Sequence, residues 1–214
     1  SLSVQIDSTM WGLFYGGLFI LAVYNLVIFF SAKEVSLLAY VGYIAAVTMW
    51  QFVWGGHLQV VNGGESPVWI MHHTELLFVI NGLMAGLFTL YFLETRINAP
   101  TAHPVVVSLL VIQILLGLIC VTGILPTILK HNLVYGVGIA SVCSYLYAGF
   151  EALSNRFQPA RYFTFAWTVL ALSAVVGILS LTGLLPSTKF TTYCFQVGVF
   201  LEAALFSLAL MEKN

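Results

Sequence analysis

The sequence predicts an all-α membrane protein, a bundle of seven transmembrane helices, and its composition and the length of its apolar runs are the reasons. Of the 214 residues, 60% are hydrophobic and 7% are charged, whereas a soluble domain carries about 25% charged residues. The apolar runs are about 18–24 residues long, and about 20 helical residues cross the ~30 Å hydrocarbon core. The alternation over about 10 residues that marks outer-membrane barrel strands is absent.

Polar stretches that contain glycine or proline divide the chain into seven predicted spans. The spans cover residues 11–30, 37–54, 67–93, 104–122, 133–153, 162–182 and 191–210. The third span is predicted to begin at Pro67, because proline is favoured at the first helical position. The fourth and sixth stop at Gly123 and Gly183, with prolines beyond. Residues 1–10 are expected to end an extracytoplasmic linker, and residues 211–214 to begin the connection to a cytoplasmic domain.

Basic residues in the short loops predict the orientation of the bundle. The side that holds the N-terminus carries Lys130 and Lys189. The opposite side carries five basic residues, namely Lys33, Arg96, Arg156, Arg161 and Lys213. Because cytoplasmic loops are enriched in Lys and Arg, we expect the N-terminus outside and the C-terminus in the cytoplasm. The lipid bilayer is the expected partner, and a net charge of −1 gives no sign of a nucleic-acid partner.

Glu202 lies near the middle of the last apolar span. A carboxylate at that depth costs about 2.5–3.5 kcal/mol, so it should face the bundle, be paired or be protonated. Gly198, Leu205 and Ala209 share its face, which lets another helix approach closely. Two hypotheses stay open, a polar switch that couples helices and a static clamp that fixes their register. Candidate partners at similar depth are Tyr24, Asn25, Tyr43 and Arg161.

A second polar group is predicted at the outer end of the bundle. It consists of His57, His72, His73, Glu75 and His131, with Lys130 beside it. His72 and Glu75 share a helix face, and imidazole with carboxylate can ligate zinc. No HxxxH or HExxH motif occurs, however, so we expect no metal and no other cofactor. A ligand site or a pH-sensing site is the alternative use of these residues.

Two well-known kinds of seven-helix protein are excluded, and three function classes stay open. A retinal protein needs a lysine inside the last span, but Lys189 precedes that span and Lys213 follows it. A G-protein-coupled receptor would show NPxxY there, and the span has no proline. The open classes are a signalling receptor, a transporter or channel with Glu202 as proton or ion relay, and an intramembrane metalloenzyme that uses the outer histidines. The spans lack the mid-membrane breaks that transporters often use.

Several short motifs, in order and at consistent spacing, resemble the membrane domain of bacterial seven-transmembrane receptors with diverse intracellular signalling modules, the 7TMR-DISM family. The resemblance covers essentially the whole chain, with little signal in the fourth and fifth spans. The residues that carry it are Gly17, Tyr24–Leu26, Phe92–Arg96, Pro159–Phe163, Ala166–Trp167, Gly183–Pro186, Gln196–Gly198, Glu202–Ala203 and Leu205–Leu210.

The resemblance implies a multi-pass protein of the bacterial inner membrane. Such proteins carry an extracytoplasmic sensor before the first span, often a carbohydrate-binding module. A cytoplasmic effector such as a histidine kinase or a diguanylate cyclase follows the last span, so the chain itself is expected to have no catalytic activity. We expect the last helix to move and the effector to read that movement, with a homodimer as the expected assembly. The predicted coupling network consists of Glu202, Gln196, Asn25, Tyr24, Arg161 and Trp167.

Overall fold

Seven long helices make up most of the chain in a computed structural model that describes residues 2–64, 74–122, 124–186 and 188–213. Within these residues, two short helices, His57–Val61 and Thr95–Asn98, lie in the connections. All seven long helices have the length and composition to cross a membrane, and the described residues contain no strand, which confirms the predicted fold class. The long helices are α1 Leu2–Ala32, α2 Val35–Trp54, α3 Thr74–Leu93, α4 Ala102–Thr122, α5 Thr127–Ser154, α6 Ala160–Leu181 and α7 Lys189–Lys213.

Most helices extend beyond the predicted apolar spans. Helix α1 begins at Leu2 rather than residue 11, and α5 begins at Thr127 rather than residue 133. Hydropathy marks only the part of a helix that suits hydrocarbon, whereas backbone hydrogen bonds continue past it. The connections before Thr74 and before Ala102 were predicted as plain loops, and each contains a short helix instead. The predicted helix start at Pro67 and stop at Gly123 lie outside the described residues.

The predicted stop of the sixth span is confirmed in its backbone geometry. Gly183 has a φ of 77°, which is the left-handed region that a helix end uses. Leu184 N–H donates to the carbonyl of Leu179 at 3.0 Å, and Gly183 N–H donates to Ser180 at 3.2 Å. These two bonds satisfy carbonyls that the end of α6 would otherwise leave unpaired.

The helices form a closed ring in sequence order. Each long helix packs against the next along the chain, and α7 packs against α1 to close the ring. Two further contacts cross the interior, α3 with α5 and α7 with α2. Helix α7 therefore packs closely against α1, α2 and α6.

The two ends of the bundle differ in charge. The basic end holds Lys33, Arg96, Arg156, Arg161 and Lys213, where α1, α3, α5 and α7 end. The histidine end holds His57, Glu75, Lys130 and His131. At the basic end, Lys33, Glu94 and Arg156 adopt left-handed φ values of 57°, 49° and 66° and terminate the preceding helices, a conformation usually left to glycine. Which end faces the cytoplasm stays a prediction.

A cluster of aromatic rings fills the core beside α7. Phe206 of α7 lies at its centre, with ring centroids 4.8 Å from Phe88 of α3 and 5.4 Å from Phe163 of α6. Tyr43 of α2 lies 6.1 Å from the same ring. Edge and tilted contacts at these distances are favourable for aromatic pairs. The cluster therefore ties α7 to α2, α3 and α6 at one level.

Candidate functional site

Glu202 of α7 lies in the interior of the bundle and is fully buried. Tyr43 of α2 donates its hydroxyl proton to the Glu202 Oε2 atom at 2.5 Å. The other carboxylate oxygen, Oε1, has no hydrogen-bond partner among the described residues. The predicted inward orientation of Glu202 is thus what the structure shows. Of the four partners considered for it, Tyr43 is the one that contacts the carboxylate.

A second tyrosine of α2 contacts α7 one residue further along. The Tyr40 hydroxyl donates to the backbone carbonyl of Ala203 at 2.5 Å, and Tyr40 is fully buried. That carbonyl lies in a continuous helix, so the tyrosine adds a bond from outside the helix. Tyr40 was not predicted from the sequence. Its three-residue spacing from Tyr43, which places both on one helix face, was the signal that could have identified it.

Asn25 and Tyr24 of α1 both reach α7, although neither contacts Glu202. The Asn25 amide donates to the hydroxyl of Ser207 at 3.0 Å and to the carbonyl of Leu21 at 2.9 Å. The Tyr24 hydroxyl lies 3.7 Å from the Met211 sulfur at a more exposed position. The two predicted residues of α1 are therefore brought to the same helix as Glu202, one and two turns closer to the basic end.

Ion pairs hold the last turn of α7 at the basic end. The Arg161 guanidinium of α6 lies 2.6 Å from the Glu212 carboxylate. The Lys213 ammonium lies 3.0 Å from the Glu94 carboxylate and donates to the carbonyl of Tyr91 at 3.1 Å. Arg161, which was considered as a partner of Glu202, pairs with Glu212 on the same helix instead. These pairings were not predicted. Lys213 was used only for the orientation and Glu212 only as part of the connection beyond the last span, because loop charges alone do not reveal which of them meet.

The remaining two predicted coupling residues, Trp167 and Gln196, have polar atoms without a hydrogen-bond partner among the described residues. The Trp167 ring of α6 lies 6.0 Å from Phe206 and 5.1 Å from Tyr145 of α5. Its indole Nε1 is buried and unpaired, as is the Gln196 Oε1 atom. Trp167 therefore joins the aromatic cluster, whereas Gln196 lies about two turns from Glu202 toward the histidine end.

Close packing fixes α7 against α6 and α1. A Cβ atom at Gly198 would overlap the side chain of Ser173 on α6, and a Cβ at Gly17 would overlap the ring of Phe200. Small residues let helices approach in this way inside a membrane. The predicted small face at Gly198 is therefore the contact with α6, and Glu202 lies one turn further along the same helix.

The histidine end brings together part of the predicted outer group. The Glu75 carboxylate of α3 lies 3.3 Å from the Lys130 ammonium and 3.1 Å from His131 Nε2, both of α5. His57 instead packs against aromatic rings, with its centroid 4.4 Å from that of Trp11, and burial lowers the pKa of His57. His72 and His73 lie outside the described residues. Within the described residues no three His, Cys, Asp or Glu side chains are grouped to hold a metal.

A ring of seven apolar helices, joined by buried polar contacts between neighbouring helices, has the architecture of a multi-pass membrane domain. The model of the family described as 7TM diverse intracellular signalling matches residues 7–213. The chain belongs to this family, as its motifs predicted, and is the seven-transmembrane domain of a signalling receptor. Comparison with the curated proteins and with the solved structures gives no match.

Proposed function

We propose that this domain relays an extracytoplasmic signal through the bacterial inner membrane by movement of α7. The signal, for example a carbohydrate captured by a sensor domain, would enter at the histidine end. A cytoplasmic effector such as a histidine kinase or a diguanylate cyclase would read α7 at the basic end. The observation that carries the proposal is that α7 collects directional contacts from α1, α2 and α6 and from residues that follow α3.

The unpaired polar atoms support a second arrangement of the helices. Glu202 Oε1 and Trp167 Nε1 are both buried without a partner among the described residues. A buried polar group without a partner costs about 1–3 kcal/mol. An arrangement that satisfied these groups would regain part of that cost. Interiors with two discrete packings of similar energy are the elements on which switching depends.

The distribution of basic residues supports the direction of the signal. Five of them lie at the basic end, and α7 ends there with its last turn in ion pairs to neighbouring segments. Since Lys and Arg favour the cytoplasmic side, a displacement of α7 would be delivered to the cytoplasm. A full switch from a 1:99 to a 99:1 population needs about 5.5 kcal/mol of differential binding. That amount is comparable to breaking several of the polar contacts of α7 together.

Glu202→Gln in the full-length receptor tests the proposal. The amide keeps the size of the side chain and an oxygen that can accept from Tyr43, but it cannot carry the negative charge of a carboxylate. We therefore expect altered basal and stimulated effector output at normal expression. Gln113→Leu is the matched control, because Gln113 of α4 is also a buried polar group, bonded to Ser141 of α5 at 2.7 Å and remote from α7. Its output should equal that of the parent.

Unchanged output from Glu202→Gln, with normal expression, would refute the switch role. The static clamp that fixes the register of the helices would then be the remaining hypothesis for Glu202. The transporter alternative is separated by measuring proton and ion flux in liposomes that contain the receptor. Flux that disappears in Glu202→Gln would favour that alternative over signalling. The metalloenzyme alternative is tested by metal analysis of the purified receptor, and zinc well below one equivalent per chain would remove it.

A further inference from the structure

Glu75 links α3 to α5 at the histidine end through two cationic partners. It lies in the first turn of α3 and is 8% exposed. Its Oε2 atom lies 3.3 Å from Lys130 Nζ, and its Oε1 atom lies 3.1 Å from His131 Nε2. Lys130 and His131 both belong to the first turn of α5. This group of three side chains, Glu75, Lys130 and His131, is the polar crosslink between the two helices at this end, and we call it the outer latch.

Both ring nitrogens of His131 face hydrogen-bond acceptors. Nδ1 lies 2.8 Å from the carbonyl oxygen of Thr127, and Nε2 faces the Glu75 carboxylate. A carbonyl and a carboxylate can only accept, whereas a neutral imidazole has a single N–H. Both contacts are hydrogen bonds only when the ring is an imidazolium. With one proton removed, one contact is lost, and a neutral ring that kept the bond to Thr127 would turn a lone pair toward the carboxylate.

Water can deliver and remove that proton. The His131 side chain is 42% exposed, although Glu75 on its other side is 9% exposed. Among the described residues, the other titratable groups around it are Lys130 and Tyr135 on α5 itself and Cys120 on α4, which lies in the electrostatic field of Lys130 and Glu75. Of the described groups here, the histidine is of the type whose charge ordinarily changes between about pH 5 and pH 8.

A continuous series of aromatic contacts joins the outer latch to α7. The His131 and Tyr135 centroids are 6.0 Å apart, and Tyr135 lies 5.3 Å from Phe78 of α3. Phe78 lies 5.3 Å from Trp50 of α2, and Trp50 lies 6.1 Å from Phe195 of α7. Separation of α3 from α5 would displace Phe78, because its ring contacts Tyr135 of α5 as well as Trp50 of α2. The series therefore offers a physical route from the latch to the output helix.

We propose that the outer latch is a proton-binding site that biases the position of α7, so that extracytoplasmic acidity is an input to this receptor. Protonated His131 adds a second contact to Glu75 beside that of Lys130 and so tightens the latch between α3 and α5. Loss of the proton weakens the latch to the Lys130 pair when the neutral ring keeps its bond to Thr127. The inference rests on the proposed function, because effector output is the measurement that reports the position of α7. It goes further by naming the proton as a ligand and His131 as the group that binds it.

Two substitutions of His131 test the latch in the full-length receptor. Gln at this position carries an amide N–H that can still donate to Glu75 and that does not titrate, whereas Leu carries no donor. The parent receptor should change its output at least about twofold between pH 5 and pH 8 outside the membrane, across the range in which histidine changes charge. His131→Gln should hold the pH 5 level at both values, and His131→Leu should hold the pH 8 level.

Two other histidines provide matched controls. His103 lies at the basic end with Nδ1 2.8 Å from the Thr95 hydroxyl, and His57 lies at the histidine end among aromatic rings. His103→Gln and His57→Gln should both keep the pH response of the parent. A response that survives in His131→Gln, or that disappears in His57→Gln, would overturn the assignment to His131.

A direct measurement separates failure of the latch from failure of the proposed function. The ring ¹⁵N shifts of His131 in the full-length receptor in nanodiscs report both nitrogens without reference to the effector. Two N–H groups are expected where the latch is protonated and one where the proton has been lost. If effector output does not depend on pH but is still altered by Glu202→Gln, the latch alone is rejected. If neither the change in pH nor Glu202→Gln alters effector output, the proposed function is rejected as well.

Discussion

Helices α4 and α7 are both apolar and span the bundle, yet they are held in different ways. Large side chains of α4 such as Ile114, Leu115 and Leu118 are more than half exposed on the surface of the isolated chain. The buried polar contact along the length of α4 is that of Gln113 with Ser141 of α5. Helix α7 has polar contacts at successive levels, with partners on three other helices.

The difference is between a helix held in place by apolar packing and a helix whose position is set by specific polar contacts. Apolar packing is not directional, so a helix such as α4 can shift slightly against its neighbours with little loss. Hydrogen bonds are directional, and they exist in one arrangement or in another. A helix whose position is set by several such contacts moves in a step rather than gradually. Matched substitutions on the two helices can therefore test whether α7 is the moving part.

The largest expected effect is that of Gly198→Ala on α7, with Gly117→Ala on α4 as its counterpart. A Cβ at Gly198 would overlap Ser173, and overpacking of this kind costs about 1–3 kcal/mol. A Cβ at Gly117 would lie 3.4 Å from Val79, which is ordinary contact. There alanine should be neutral or stabilising by about 0.5–1 kcal/mol, because glycine is a poor helix former. Thermal unfolding in nanodiscs and effector output measure both substitutions.

A second substitution tests whether the Gly198 effect comes from the contact with α6. Ser173→Gly removes the atoms that a Cβ at Gly198 would meet. The double variant should recover most of the stability and output that Gly198→Ala loses. Recovery that fails, or an equal loss from Gly117→Ala, would show that the spacing of α7 against α6 has no special role.

The next effect is smaller and comes from two serines that accept from buried amides. Ser207 of α7 accepts from Asn25 at 3.0 Å, and Ser141 of α5 accepts from Gln113 of α4 at 2.7 Å. Hydrogen bonds between membrane helices average about 0.6 kcal/mol, so Ser207→Ala and Ser141→Ala should lower stability by similar small amounts. We expect Ser207→Ala to change effector output and Ser141→Ala to leave it unchanged. Equal output from the two variants would remove the distinction between the helices.

The sequence was sufficient for the fold class, because seven apolar runs of membrane-spanning length leave few alternatives. It was also sufficient for the inward orientation of Glu202, since a carboxylate is costly on a lipid-facing surface. Helix ends were predicted less well, and α1 begins at Leu2 well before its apolar span. Hydropathy reports the environment of a segment rather than its backbone hydrogen bonds.

Pairings within the candidate site could not be predicted from the sequence. Tyr24, Asn25, Tyr43 and Arg161 were equally plausible partners for Glu202, and the rotation of each helix about its axis decided among them. All four contact α7, but Tyr43 alone of them contacts the carboxylate. That rotation is fixed by packing contacts between residues distant in sequence, such as Phe206 with Phe88. The roles of these residues in signalling stay predictions.

The smallest expected effect compares two glutamates at the basic end. Glu212 of α7 pairs with Arg161, whose side chain is 53% exposed, and exposed ion pairs contribute about 0–1 kcal/mol. Glu151 of α5 instead accepts from the backbone N–H groups of Thr101 and Ala102, at 3.0 and 2.8 Å, where α4 begins. Glu151→Gln should cost about 0.5 kcal/mol of stability, since a neutral amide interacts less well with a helix N-terminus, and should leave output unchanged.

Glu212→Gln should do the reverse, with no measurable change in unfolding temperature and a modest change in effector output. Because the pair is exposed, about 0.5 M salt should weaken it in the parent receptor and shift output in the same direction as the substitution. Parallel titrations of output with salt in the parent and in Glu212→Gln make the measurement. If the variant keeps the salt response of the parent, the ion pair does not position the end of α7, and the comparison between α4 and α7 then rests on their buried contacts alone.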